Sequence, residues 1–316
     1  MILVISHLAD EHATSVIEKL QQQQANLLLL DTARYPREIR LAIKHETGGV
    51  SAYHATVNGV DHDFATIRSV WWRRPQPFGI DETISNSEDR GFAYGECHAA
   101  ITGLWSCLNA HWMNNPEKDE LAARKVYQLG LASGIGLRVP RTLVTNDPGK
   151  AAEFIENEGA KGTIYKAFSA TENAWRETRL LKPEEHKLID AVQFAPVIFQ
   201  EHIRAAIDLR ITVIGDDIFP AEILSGDTDY HVDFRMTMYN AVINPHVLPD
   251  DIIAKLMKLM KTLGLIYGAI DMRLTPEGEY VFLEVNPAGQ WLFIEERTEQ
   301  PITAAVAGYL LKHDVL

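Results

Sequence analysis

Two stretches near the C-terminus plant polar side chains among apolar ones: Tyr267-Gly-Ala-Ile-Asp271-Met-Arg273 and Glu279-Tyr-Val-Phe-Leu-Glu284-Val-Asn286-Pro287. Each reads as a β-strand. Successive strand side chains point to opposite faces, so Glu284 and Asn286 share a face, as do Asp271 and Arg273. The Thr275-Pro-Glu-Gly278 turn between them allows a hairpin-like pairing that gathers Asp271, Glu284 and Asn286. All three offer hard oxygen donors, without sulfur or imidazole. That set suits Mg²⁺, which is usually held by a few side chains together with substrate phosphates. Two ordinary half-exposed strands ending in a turn would carry the same spacing.

The elements that must position these residues follow from periodicity. Strand, helix and strand at 1–6, 11–24 and 25–30 open a parallel α/β unit. Alternation on either side of Asn58-Gly59 marks a hairpin over 50–64. A strand at 67–72 ends in Arg73-Arg74-Pro75, and a long helix covers 87–108. Asn114-Asn115-Pro116 marks a boundary, with Pro116 at a helix start. A helix over 117–133 then carries Lys125 at its middle. Strands follow at 140–144, at 163–168 bearing Lys166, and at 197–200 leading into Glu201-His202-Ile203. Strands at 208–214 and 218–224 flank Gly215-Asp216-Asp217. An amphipathic helix fills 249–263, and a closing helix 302–312.

Composition narrows the classes. The chain has 316 residues, 46% hydrophobic and 23% charged, enough for two or three subdomains around real cores. A formal net charge of −13 opposes binding to nucleic acid, while leaving room for a local cationic nucleotide site. Cys97 and Cys107 form no framework or metal spacing, which implies a reducing, cytoplasmic setting. The apolar start is too short for a signal segment, and no run approaches a membrane span.

Other motifs are weaker. There is no Walker P-loop, and Gly134-Ile-Gly136 reads as a helix C-terminus. Lys166 shares a strand face with Ile164 and Phe168, so its ammonium either snorkels out or meets a buried anion. Asp208 and Arg210 share a face, and an ordinary ion pair is the plainer account. Trp71-Trp72-Arg73-Arg74 reads as core tryptophans with arginines at the rim, facing a subdomain interface. His54, His62 and Asp63 fit a polar hairpin.

Taken in order, these residues resemble the ATP-grasp superfamily. The resemblance implies ATP and Mg²⁺ as cofactors. Lys125 and Lys166 would hold phosphates, and Glu201, His202 and Ile203 would meet adenine. Asp208 would meet the ribose, and Asp271, Glu284 and Asn286 the metal. Within the superfamily the chain resembles the microviridin-type peptide macrocyclases, the ligases that make ω-ester or ω-amide graspetides. Val70-Trp-Trp-Arg-Arg-Pro75, Asp208-Leu-Arg210, Asp233-Phe-Arg235 and Asn286-Pro-Ala-Gly-Gln-Trp291 carry that likeness, across essentially the whole chain. One departure is that 167–178, where many relatives have a glycine-rich phosphate loop, contains no glycine. Ser169, Thr171 and backbone amides are the substitutes expected there.

The implied fold is α/β, an ATP-grasp fold with an N-terminal Rossmann-like pre-ATP-grasp domain. The expected domains are 1–115, a central subdomain 116–196, and a catalytic subdomain 197–316. The implied reaction activates Asp or Glu side chains of a ribosomal precursor peptide as acyl phosphates and closes macrocycles. Arg210 and Arg235 would face the transferred phosphate, and Arg73, Arg74, Arg273 and Arg297 complete the cations available for an acidic peptide. The leader segment would dock on the central subdomain or near 225–235, and a homodimer is implied. Two alternatives stay open: a ligase joining an amino acid to a peptide or protein tail, and a non-catalytic nucleotide-binding module.

Overall fold

The computed structural model describes residues 1–49, 51–168, 178–205, 207–224 and 241–315. Arg235, Ser169, Thr171 and the 225–235 segment lie outside the described residues.

The N-terminal part runs β1 (Ile2–Ile5), α1 (Glu11–Gln22), β2 (Leu27–Leu30), β3 (Arg40–His45), β4 (Ser51–Val57), β5 (Val60–Asp63), β6 (Ser69–Trp72), α2 (Ser87–Cys107) and β7 (His111–Met113). A parallel sheet forms in the order β2-β1-β6-β7. β1 is buried along its whole length, as an unbroken apolar run in a covered parallel sheet must be. Asp10 and Asn86 start α1 and α2 by accepting backbone N–H bonds. β3, β4 and β5 make a separate antiparallel sheet. Its tight turn uses positive φ at Asn58 (53°) and Gly59 (78°), the backbone that a two-residue hairpin loop needs.

The middle comprises α3 (Pro116–Ala122), α4 (Lys125–Ile135), β8 (Thr142–Thr145), α5 (Pro148–Glu158), β9 (Thr163–Lys166), β10 (Arg179–Leu180) and β11 (Val197–Glu201). These strands pair antiparallel in the order β10-β9-β11-β8, with α5 packed on one side. The last part holds β12 (Ile207–Ile214), β13 (Asp217–Leu224), β14 (Val242–Pro245), α6 (Asp250–Leu263), β15 (Tyr267–Leu274), β16 (Tyr280–Asn286), α7 (Leu292–Thr298) and α8 (Ile302–Lys312). Its sheet runs β14-β13-β12-β15-β16, all antiparallel. One face presents Leu209, Ile211, Val213, Ile270, Met272, Phe282 and Val285 to α4 and α6. Each such buried side chain contributes about 1.5–3 kcal/mol. No described helix is long and apolar enough to cross a membrane.

Two expectations need correction. The single helix over 117–133 is two helices, and Lys125 opens the second instead of sitting at mid-helix. No breaker residue lies between them. A tertiary contact supports the interruption: the buried Gln128 side chain donates to the Ala122 carbonyl, which ends α3, and bonds both backbone groups of Val285 on β16. The boundary at 196/197 also fails to divide the sheets, because β11 pairs with β8 and β9. Ala122, Ala132 and Leu137, meanwhile, belong to the core under the C-terminal sheet. We propose that the central unit consists of β8 to β11 with α5, and that α3 and α4 belong with the C-terminal sheet.

Candidate active site

Arg210 on β12, Asp271 on β15 and Glu284 on β16 are register partners across three neighbouring strands. Directly opposed residues share a face, so they form a row on the side away from α6. Arg210 Nε lies 2.8 Å from Asp271 Oδ1. Lys125, at the start of α4, forms an ion pair with Glu284 and closes the row. One step along the same face the polarity reverses: Asp208 on β12 opposes Arg273 on β15, Oδ1 to Nε 2.9 Å.

The row depends on an irregularity. Strict alternation would put Phe282 on the same face as Glu284. The pairing shifts between Asp271 and Met272, so that Glu284 opposes Asp271 while Phe282 opposes Met272. The extra residue, Leu283, lets Glu284 and Asn286 face the row while Phe282 stays fully buried in the core. Asn286 is exposed, opposes Ala269, and accepts the Ala288 N–H at 3.0 Å. Among the described residues no three or more His, Cys, Asp or Glu converge. The donors are therefore two carboxylates and a carboxamide, a hard-oxygen set that fits Mg²⁺ provided phosphate oxygens complete it.

The residues after Asn286 are clamped by their carbonyls. Pro287 accepts from Asn114 Nδ2 at 3.3 Å. Ala288 accepts from Arg73 Nη1 at 2.6 Å and Arg74 Nη2 at 3.2 Å. Gly289 accepts from Arg73 Nη1 at 2.9 Å and the Tyr267 hydroxyl at 2.8 Å, and Gln290 from Arg210 Nη1 at 3.4 Å. Arg73 is therefore not at a rim. It is 1% exposed, lies over the Trp291 ring, and is balanced by Asp10 at 3.1 Å. Burial pushes the Tyr267 hydroxyl pKa up to about 12, which keeps it a donor. Burial, reinforced by Arg73, drives His12 down to about 3, so the neutral ring can accept the Trp291 N–H at 3.5 Å.

Gly289 has no room for a side chain: a Cβ would sit 2.2 Å from the Ala269 Cβ and 3.3 Å from Arg210 Nη1. Gly289→Ala is expected to destabilise the fold by about 1–3 kcal/mol through forced displacement of the tail. Thermal denaturation measures that loss, and ADP release should fall at least about tenfold because Asn286 and Arg210 move with the tail.

The remaining candidates are placed less simply. Lys166 ends β9 in the central sheet, half-buried and opposite Ile198. The Glu201 carboxylate receives Arg138 Nη1 at 2.7 Å and Arg141 Nε at 2.8 Å. Burial alone would raise its pKa, but these bonds outweigh it and hold the group below the usual carboxylate value. The His202 N–H donates to Gly162, and the Ile203 carbonyl accepts from Arg273 at 2.9 Å. Those two hinge groups are engaged within the protein. Asp208 is 7% exposed, with one oxygen on Arg273. Arg73, Arg210 and Arg273 were expected as cations for a peptide, yet each is buried against a carboxylate. Arg297 donates to the Ala241 carbonyl.

Two residues that position the site were not singled out from sequence. Asn114 accepts from the N–H groups of Ile266 (2.8 Å) and Tyr267 (2.9 Å) while donating to Tyr267 and Pro287. Gln128 ties α4 to β16. In the sequence Asn114 marked only a break, and Gln128 was one helix residue among many. Their signal was a carboxamide in a place that folding buries.

Residues 1–120 match the family model of the MvdD pre-ATP grasp domain. The macrocyclase MdnC from Microcystis aeruginosa MRC, solved with precursor peptide MdnA, superposes with TM-score 0.87 at 30% identity, covering 98% of each chain. This chain belongs to the ATP-grasp macrocyclase family. A Chryseobacterium gregarium RiPP-associated ATP-grasp ligase, solved with ADP and a leader and core peptide, matches at TM-score 0.88 and 27% identity, covering 98% of this chain and 96% of that one. A probable alpha-L-glutamate ligase of Shewanella loihica is 23% identical over 221 residues, 67% of this chain and 71% of the relative. Like its relatives, this macrocyclase-family member is an ATP-dependent ligase, and the charged row on β12, β15 and β16 lies beyond the residues that match the pre-ATP grasp model.

Proposed function

We propose that this ligase activates Asp or Glu side chains of a ribosomal precursor peptide with ATP and closes ω-ester or ω-amide rings. One observation carries the proposal: Arg210, Asp271, Glu284 and Lys125 form a register-aligned row beside a clamped tail. Asp271, Glu284 and Asn286 would hold Mg²⁺. When bound, the ion would offset charge on the nucleotide's phosphates. Lys125 and Lys166 supply positive charge for those phosphates. Asp271 and Arg210 orient each other, so the guanidinium fork is fixed before a substrate arrives. Arg235 is assigned with Arg210 to the transferred phosphate. For the base of ATP we assign the hinge groups other than the His202 N–H and the Ile203 carbonyl. Asp208, held by Arg273, is assigned to the ribose.

The substrate carboxylate attacks the terminal phosphate, giving an acyl phosphate and ADP. A hydroxyl or amine of the same peptide then displaces phosphate. The peptide's leader segment docks separately from its acidic core, the enzyme acts in the cytoplasm, and it works as a homodimer. Incubation with ATP, Mg²⁺ and the cognate peptide should lower the peptide mass by one water per ring. Unchanged mass with a genuine partner peptide would exclude ring closure. A gain of one amino-acid residue would assign the chain to the tail-extending class instead. Light scattering tests the dimer.

A further inference from the structure

The central unit, β8 to β11 with α5, is joined to the rest of the chain by two links. One is 136–141, between α4 and β8, and the other follows Glu201 at the end of β11. Both links meet at one carboxylate. Glu201 Oε1 accepts from Arg138 Nη1 at 2.7 Å, and Oε2 from Arg141 Nε at 2.8 Å. The two arginines are anchored on different sides. Arg138 is tied to the C-terminal sheet: its backbone bridges to Val281 on β16, its carbonyl accepts the Phe282 N–H at 2.8 Å, and its Nε lies 3.8 Å from Glu279 in the β15–β16 turn. Arg141 is tied to the central unit: its Nη2 donates to Glu158, the last residue of α5, at 2.6 Å, and its carbonyl accepts the Glu201 N–H at 3.0 Å. Glu201 therefore gives one oxygen to each unit. Its side chain is 7% exposed, against 41% for Arg138 and 52% for Arg141. A planar guanidinium on each oxygen fixes the direction of the carboxylate, and a group so engaged is poorly placed to read a nucleotide base. Lys166 on β9 lies opposite Ile198 on β11, three residues before Glu201. The charged row lies on β12, β15 and β16. The angle at the two links thus sets how far Lys166 stands from the row.

We propose that Glu201 is a positioning residue: its carboxylate pins the hinge between the central unit and the C-terminal sheet, and backbone groups of the hinge are left to meet the base of ATP. This role rests on the nucleotide site proposed above. Hinges of this kind act on substrate affinity from a distance, because a small change of angle misplaces a group carried on the far unit. Here that group is Lys166. Arg138 and Arg141 share the role, Arg138 most directly, since it alone carries the tie from Glu201 to β16.

The full chain carrying Glu201→Gln, Arg138→Met or both can be titrated calorimetrically with MgADP and with MgIDP, which lacks the 6-amino group of adenine. Glutamine keeps the shape, but its amide nitrogen cannot accept from a guanidinium. Arg138 is 41% exposed, so its replacement leaves the core intact. MgADP binding should weaken about five- to tenfold in each single variant. The double variant should lose no more than either one, because both break the same tie. Arg138→Lys, which keeps a cation for Glu201, should stay within about threefold of wild type. The ratio of MgADP to MgIDP affinity should hold within about twofold throughout. The amides of Glu201 and Phe282, whose acceptors are the Arg141 and Arg138 carbonyls, should exchange hydrogen at least about tenfold faster in Glu201→Gln. Wild-type MgADP affinity in Glu201→Gln would overturn the role. So would a loss that Arg138→Met does not share, or one confined to MgADP over MgIDP, which would give the carboxylate to the base. A wild-type chain that binds no MgADP would instead overturn the nucleotide site on which the role rests.

Discussion

Glu284→Gln should abolish ATP turnover while leaving the fold intact. Glu284 and Lys125 are about a quarter exposed, with side-chain exposures of 26% and 27%, so solvent screens their ion pair and its contribution to stability is small. The chemical effect is large. The substitution keeps the shape of the side chain and removes one of two facing carboxylates, halving the negative charge offered to a divalent cation between β15 and β16. Losing a metal that stabilises phosphoryl transfer forfeits several kcal/mol, so peptide-dependent ADP release should fall by about 10³-fold or more. A titration of nucleotide binding against Mg²⁺ should show the dependence on the ion weakened in parallel. Turnover within tenfold of wild type, at unchanged melting temperature, would remove Glu284 from the metal site.

Arg73→Met should give the largest loss of stability. The side chain is 1% exposed, pairs with the equally buried Asp10, and donates to the carbonyls of Ala288 and Gly289. Methionine fills similar volume and leaves a carboxylate buried without its cation, a change worth about 3–5 kcal/mol. The melting temperature should fall by about 10 °C. Arg73→Lys should recover only part, because a single ammonium can neutralise Asp10 but cannot span both carbonyls as the guanidinium does. Adding Asp10→Asn to Arg73→Met should recover about 1–2 kcal/mol, since asparagine keeps the cap of α1 and removes the orphaned charge. A loss below 1 kcal/mol for Arg73→Met would show that the tail is held by other contacts.

Much of the fold was legible because burial imposes periodicity. The apolar run of β1, the Asn58-Gly59 turn and the bounds of α8 follow directly from side-chain pattern and turn chemistry. β3 was not legible: its side chains are mostly exposed, so no face of it had to be apolar. α7 and the short β7 gave too few residues for a period to show. In the site, the like-face pairs Asp208 with Arg210 and Asp271 with Arg273 were readable, because strand alternation is local. That the two pairs are complementary could not be read. It arises only once β12 and β15 align in register, which sets each cation against a carboxylate.

The sequence by itself determined most of the strands and helices, the parallel opening and the order of polar groups along β12, β15 and β16, because these follow from patterns among neighbours a few residues away. Tertiary structure alone decided the bulge at Leu283 that turns Glu284 toward Asp271, and the Gln128 contact that lets Lys125 begin a helix. It also decided the burial of Arg73 over the tail. These outcomes depend on which distant groups lose water together. A buried donor or acceptor must find a partner wherever the chain brings one, and no local pattern encodes where that will be.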